Sequence, residues 1–209
     1  FLESDVIKMD SQEINKFIKE NVDKIYDEMV KVRRTIHENP ELGDEEFETS
    51  KLIKRFLTEN GIEFFEVINT GVVATIYNDK ENMENKTVAT RADIDALPIF
   101  EENDVDYKSK NTGKMHACGH DAHTTIQLGV AKVLAENKDK WHGTARFFFQ
   151  PAEETSGGSD RMIKAGALEF EKEKDRKIDA FFALHMAPEI ELGKIGIKYG
   201  KAHASSARI

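Results

Sequence analysis

Apolar residues recur at helical spacing from Ser11 onward, where Ile14, Phe17, Ile18, Val22, Ile25, Met29 and Val32 mark one face of a long segment. That period predicts a helix over 11–38, capped by Ser11 and ended by Asn39-Pro40, because the residue before a proline is disfavoured in the α region. A second helix is expected over 44–60, stopped by Gly61. Beyond it the period changes. Residues 72–77 and 87–94 are β-rich runs separated by a polar turn over 78–85. Helical spacing returns over 122–136, and 145–150 is a strand with Phe147, Phe148 and Phe149 in a row. A short helix over 159–165, a buried strand over 178–185 and the start of another over 194–198 complete the pattern. Strands alternating with helices indicate an α/β fold, a mixed and mostly parallel sheet flanked by helices.

Composition narrows the class. A chain of 209 residues can bury one α/β domain, or one domain and the start of another. The 30 basic and 39 acidic residues leave a net charge of −9, which lacks the electrostatic footprint of a nucleic-acid binder. No apolar run approaches the length of a membrane span, so no membrane partner is expected. The N-terminus also lacks the charged-then-apolar order of a signal peptide. The single cysteine, Cys118, forbids an intrachain disulfide and suits a reducing compartment, so a cytoplasmic protein is expected.

The residues able to do chemistry fall at strand ends and helix starts. The segment Met115-His116-Ala117-Cys118-Gly119-His120-Asp121-Ala122-His123 holds three of the seven histidines and the only cysteine, just before a predicted helix. Thiolate and imidazole are strong ligands for zinc and similar ions, and a helix N-terminus should lower the thiol pKa. A lone cysteine is by default a small buried hydrophobe; these neighbours reverse that default. Cys118 and His120 are the favoured ligands, with His116 and His123 as supporting or substrate-facing groups. Gln150-Pro151-Ala152-Glu153-Glu154 follows the most apolar strand. Adjacent residues at a strand end point in different directions, so one carboxylate can hold metal while the other reaches a water. The glycines after Thr155 would leave room for a close ligand. His185 ends the 178–185 strand; by itself such a histidine is more often a satisfied core residue. Asp93 and Asp95 close the 87–94 strand on one face, Asp93 either orienting a ligand histidine or simply pairing with Arg91.

Five motifs in order, Arg34-x-x-His37-x-x-Pro40-Glu41-Leu42, Arg91-Ala92-Asp93-x-Asp95-Ala96-Leu97-Pro98, His116-Ala117-Cys118-Gly119-His120-Asp121, Gln150-Pro151-Ala152-Glu153-Glu154 and Ala183-Leu184-His185, resemble the M20 metallopeptidase family. The likeness is nearest to its branch of N-acyl-amino-acid, hippurate and auxin-conjugate amidohydrolases and runs from about Asp10 onward. The resemblance implies a zinc-exopeptidase-like fold and two divalent metal ions, zinc first, with manganese, cobalt or nickel open. It implies Cys118 shared between the ions, His120, Glu154 and His185 as further ligands, and Glu153 as general base for a metal-activated water. Where the broader family has a ligand histidine this chain has Arg91, which leaves Asp93 an orienting role. The implied substrate is a small N-acyl amino acid or peptide.

By the same resemblance, residues 10–201 are the N-terminal part of a catalytic domain. Residues 202–209 begin a lid domain that would carry a homodimer contact, and a further ligand histidine would follow the lid. The chain as given is therefore expected to be incomplete and inactive alone. Two other readings compete: a non-catalytic binding or regulatory module on the same scaffold, and a redox or structural metal protein. The absence of a Cys-x-x-Cys pair argues against the last.

Overall fold

The computed structural model describes residues 9–81, 83–155, 157–170 and 175–197. Helix α1 spans Ser11–Glu38 and α2 Phe47–Glu59, followed by strands β1 Glu63–Val67, β2 Gly71–Asn78 and β3 Thr87–Asp93. After a long loop come α3 His120–Glu136, a single 3₁₀ turn Lys138–Lys140, β4 Gly143–Gln150, α4 Gly158–Lys164 and β5 Ala180–Ala183.

The five strands form one sheet in the order β1-β2-β4-β3-β5. The sheet is mixed: β1 and β4 flank β2 antiparallel, and β4 and β5 flank β3 parallel. One face is covered by α2 and α3, where Ile53, Leu57 and Leu128 pack on Val72, Phe147 and Phe149. On the other face Met162 of α4 and Ala167 pack on Val73, Ala89 and Phe148. From β3 the chain therefore crosses to β4 through α3 on one face, and later reaches β5 on the far side of β3 after passing α4 on the other. In open α/β sheets such a reversal opens a crevice at the carboxyl ends of the strands. Asp93 pairs with Gln150 in register, and Arg91 with Ala183. The three segments that follow β3, β4 and β5 consequently emerge side by side.

Several local expectations are corrected. Asp10, not Ser11, caps α1: its carboxylate accepts the Gln12 and Glu13 amides at 2.8 and 2.9 Å, and Glu13 reciprocates on the Asp10 amide. An aspartate at this position also complements the positive end of the helix dipole. The apolar stripe of α1 is buried only in its second half. Ile25 and Ile36 are in the core, whereas Ile14, Ile18 and Val22 are 39–49% exposed. A helix of this length runs about 42 Å and projects past the layer it packs on. Helix α2 starts at Phe47 rather than 44, because Asp44 holds a left-handed φ of 70° that no right-handed helix can include. Strand β1 was not foreseen; its charged Glu63 and Glu66 flank the adjacent Phe64 and Phe65 and hide the period. The strand expected over 178–185 shortens to β5, the edge strand among the described residues, and is exposed, with Phe181 at 50% and Phe182 at 60%. No strand forms over 194–197, and Lys198 and the proposed boundary at 201–202 lie outside the described residues.

Candidate metal centre

The carboxyl ends of the parallel strands and the first turn of α3 bring the chemical residues together. Cys118, His120 and His185 each offer one ligand atom, all within 4.8 Å of one another. His120 also groups with Glu153 and Glu154, and with Asp93 and His123, at the same limit. Cys118 Sγ lies 3.4 Å from His185 Nε2, and His120 Nε2 lies 3.8 Å from a Glu154 oxygen.

Backbone carbonyls fix which imidazole nitrogens are free. His120 Nδ1 is 2.8 Å from the Asp95 carbonyl, and His185 Nδ1 is 2.6 Å from the Met186 carbonyl. A carbonyl only accepts, so both Nδ1 atoms carry a proton, and in the neutral imidazole that binds metal it is Nε2 that offers the lone pair. His120 Nε2 is buried and has no hydrogen-bond partner among the described residues. A buried, unpaired acceptor facing a thiol, a second imidazole and a carboxylate is an expensive arrangement without an ion and an ordinary one with it. The donor set therefore fits a divalent metal. His123 is different. Its Nε2 accepts the Met186 amide at 2.8 Å, so its Nδ1 donates to Asp93 at 2.6 Å. Both nitrogens are committed, and His123 ties α3 to the His185 segment.

Two buried aspartates organise this cluster. Asp95 receives His120 Nδ1 on one oxygen at 3.2 Å and the Glu154 amide on the other at 3.0 Å. Asp93 receives His123 and pairs with Arg91 at 2.7 Å, while Arg91 also donates to Gln150 at 2.9 Å. Arg91 thus holds carboxylate and amide, and Asp93 both pairs with it and orients a histidine. Burial alone would raise the Asp93 pKa, but the His123 hydrogen bond and the His120 and Arg91 charges outweigh it and pull the value down to about 2. Burial, then the charge of Glu154, raises Glu153.

Gly119 is required before α3 on two counts: its φ is 88°, and a Cβ there would stand 2.9 Å from the Met186 side chain. The expected low thiol pKa is corrected. Burial, then the Glu154 hydrogen bond and the charges of Glu154, Asp93 and Glu153, push Cys118 up to about 12. Burial and the clustered carboxylates outweigh the dipole of one helix end, so a metal ion would have to displace the thiol proton. Of the glycines after Thr155, Gly158 is crowded by the protein itself, since a Cβ there would lie 1.7 Å from the Pro151 carbonyl oxygen, while a Cβ on Gly157 would meet nothing within 4 Å. His116 belongs to none of the three ligand groups. It is 3% exposed, packs near the His37 ring, and burial lowers its pKa to about 4.

Next to the cluster lies an ion network with no assigned role in the sequence. His37 Nδ1 is 2.8 Å from Asp121 and its Nε2 is 3.0 Å from Glu101, both carboxylates being buried. Arg33 joins Asp121 at 2.7 Å. Two carboxylates, one on each nitrogen, require an imidazolium. The His37 pKa is raised, chiefly by the Asp121 hydrogen bond, which outweighs burial. The stability it contributes is full below its unfolded pKa of about 6.5 and is lost as pH rises through the raised folded value. Wild-type protein should therefore lose thermal stability relative to a His37→Gln variant as pH climbs from about 6.5 toward 9, at fixed metal loading. A wild-type-minus-variant Tm difference that stays flat over that range would contradict the charged form.

The sequence matches the family model for peptidase family M20/M25/M40 over residues 89–207, more than half of the chain. It is 45% identical over 184 residues to the IAA-amino acid hydrolase ILR1-like 5 of Arabidopsis thaliana, covering 88% of this chain and 40% of that protein. It is 42% identical over 182 residues to an N-acetylcysteine deacetylase of Bacillus subtilis, covering 86% of this chain and 45% of that protein. Among solved structures, the YXEP protein of Bacillus subtilis, described as a dinuclear metal binding peptidase from the M20 family, superposes with a TM-score of 0.74 at 40% identity. That match covers 84% of this chain and 47% of YXEP, so the chain spans less than half the length of each of these relatives. With five motifs in order, the shared fold and the matching model, this chain belongs to peptidase family M20/M25/M40.

Proposed function

We propose that the protein hydrolyses the amide bond of small N-acyl amino acids or related acyl conjugates, using two divalent metal ions. The observation that carries the reading is the convergence of Cys118, His120 and His185, with both ligand imidazoles fixed in the tautomer that leaves Nε2 free. The substrate class follows from the relatives, an IAA-amino acid hydrolase and an N-acetylcysteine deacetylase.

Cys118, His120, Glu154 and His185 would hold the metal. A thiolate among imidazoles suits zinc, and manganese, cobalt and nickel accept the same donors. The ions would polarise the scissile carbonyl and lower the pKa of water from about 15.7 toward 7. The protein's own part is proton transfer and orientation. Glu153 takes the proton of the attacking water and passes it to the leaving amine. Its raised pKa moves it toward the operating range of a general base. Asp95 keeps His120 and Glu154 aimed, and Asp93 acts through His123 on the segment that carries His185. No helix among the described residues is long and apolar enough to cross a membrane. A thiol kept available as a ligand suits the cytoplasm, and a homodimer formed through a lid domain belongs to the same reading.

The test is hydrolysis of N-acetyl and N-benzoyl amino acids by the full-length protein. Turnover should vanish with a chelator and return with zinc or manganese. Turnover indifferent to chelation, or none with any acyl amino acid while metal is bound, would reject the proposal.

A further inference from the structure

Glu46 immediately precedes α2, yet it makes no side-chain cap on that helix. Glu41 does so instead, accepting the Glu48 and Thr49 amides at 3.0 and 2.8 Å. The Glu46 side chain turns inward and is fully buried. One carboxylate oxygen accepts the Ala152 amide at 2.8 Å, and the other accepts the Thr70 hydroxyl at 2.7 Å. Ala152 holds a left-handed φ of 52° without being glycine, a conformation that persists only where surroundings over-determine it. Its carbonyl accepts the Gly158 amide, and Gly43 approaches its Cα so closely that a Cβ on Gly43 would lie 3.0 Å away. The next residue is Glu153.

We infer that Glu46 is a positioning residue for Glu153: it clamps the strained Ala152 amide and so sets the direction in which the general base leaves the turn after β4. The inference rests on the proposed role of Glu153. Glu154 has its own anchor, because Asp95 accepts its amide at 3.0 Å. Loss of Glu46 should therefore disturb the base more than the ligand. A misplacement of about 1 Å in a catalytic group can cost about 10²-fold in rate.

In the full-length, metal-loaded protein, Glu46→Leu should lower kcat by up to about 10²-fold, with KM and bound metal per chain close to wild type. Glu46→Asp, which keeps a buried carboxyl group but cannot span Ala152 and Thr70 together, should behave alike and serves if the leucine variant fails to fold. Glu46→Gln should rescue kcat, since its amide oxygen can still accept from Ala152 while its nitrogen donates to Thr70. Unchanged kcat per folded molecule in Glu46→Leu or Glu46→Asp, with only a lower Tm, would reduce Glu46 to a structural residue and overturn the inference. A Glu46→Gln variant as slow as Glu46→Leu would overturn it too, because charge and not the hydrogen bond would then matter. Glu153→Gln run alongside separates the two ideas: full turnover there sinks the base assignment itself, whatever Glu46 does.

Discussion

Replacing Glu153 by glutamine in the full-length protein is expected to lower kcat by about 10²–10⁴-fold while leaving the bound metal in place. Glutamine has the same shape and cannot take a proton. The neighbouring Glu154→Gln should do the opposite, weakening metal binding first and activity as a consequence, because a neutral amide oxygen is a poorer ligand than a carboxylate. Both carboxylates lie within reach of His120, and two differences between them favour this sign. Glu154 approaches the free Nε2 of His120 and has its amide held by Asp95, while Glu153 is the carboxylate whose pKa is raised by burial and by Glu154. Elemental analysis beside steady-state rates measures both quantities. Metal lost from Glu153→Gln and retained in Glu154→Gln would reverse the two roles.

Asp95→Asn is expected to weaken metal binding by about 10–100-fold although Asp95 belongs to none of the ligand groups. Its two oxygens accept from His120 Nδ1 and from the Glu154 amide. Asparagine offers only one acceptor, and its NH₂ group would face a donor on the other side. Turned one way, it leaves the Glu154 amide without its acceptor, and a buried donor left unsatisfied costs about 1–3 kcal/mol; turned the other way, its NH₂ group opposes the His120 Nδ1–H, which keeps only the Asp95 carbonyl. Competition with a chromophoric chelator would read the affinity. An affinity equal to wild type would mean that the Asp95 carbonyl and the ligand packing already fix His120 and Glu154 without the carboxylate.

Local chemistry made the candidate ligands legible in the sequence. Cys118 and His120 stand beside a helix start, Glu153 and Glu154 follow the apolar run of β4, and both signals depend only on neighbours along the chain. The alternation of helical and β periods also gave the α/β class. Short or charged elements did not show: β1 is hidden by its glutamates, and the cap of α1 shifted by one residue because Asp10 and Glu13 form a reciprocal pair. Three matters depended on contacts far apart in the chain. His185, which by itself reads as a core histidine, reaches Cys118 only because β5 pairs with β3 and so ends beside α3. The free Nε2 of His120 depends on the Asp95 carbonyl, 25 positions earlier. Glu46, 106 positions from Ala152, gave no sign of its reach, since the helix expected over 44–60 placed it in a first turn, where a glutamate suits the helix dipole without any distant partner. Residue type and spacing along the chain thus determine which groups can bind metal or carry a proton. Strand order and the hydrogen bonds that close across it decide where those groups meet and which nitrogen each histidine leaves free, because these are properties of paired atoms brought together only by folding.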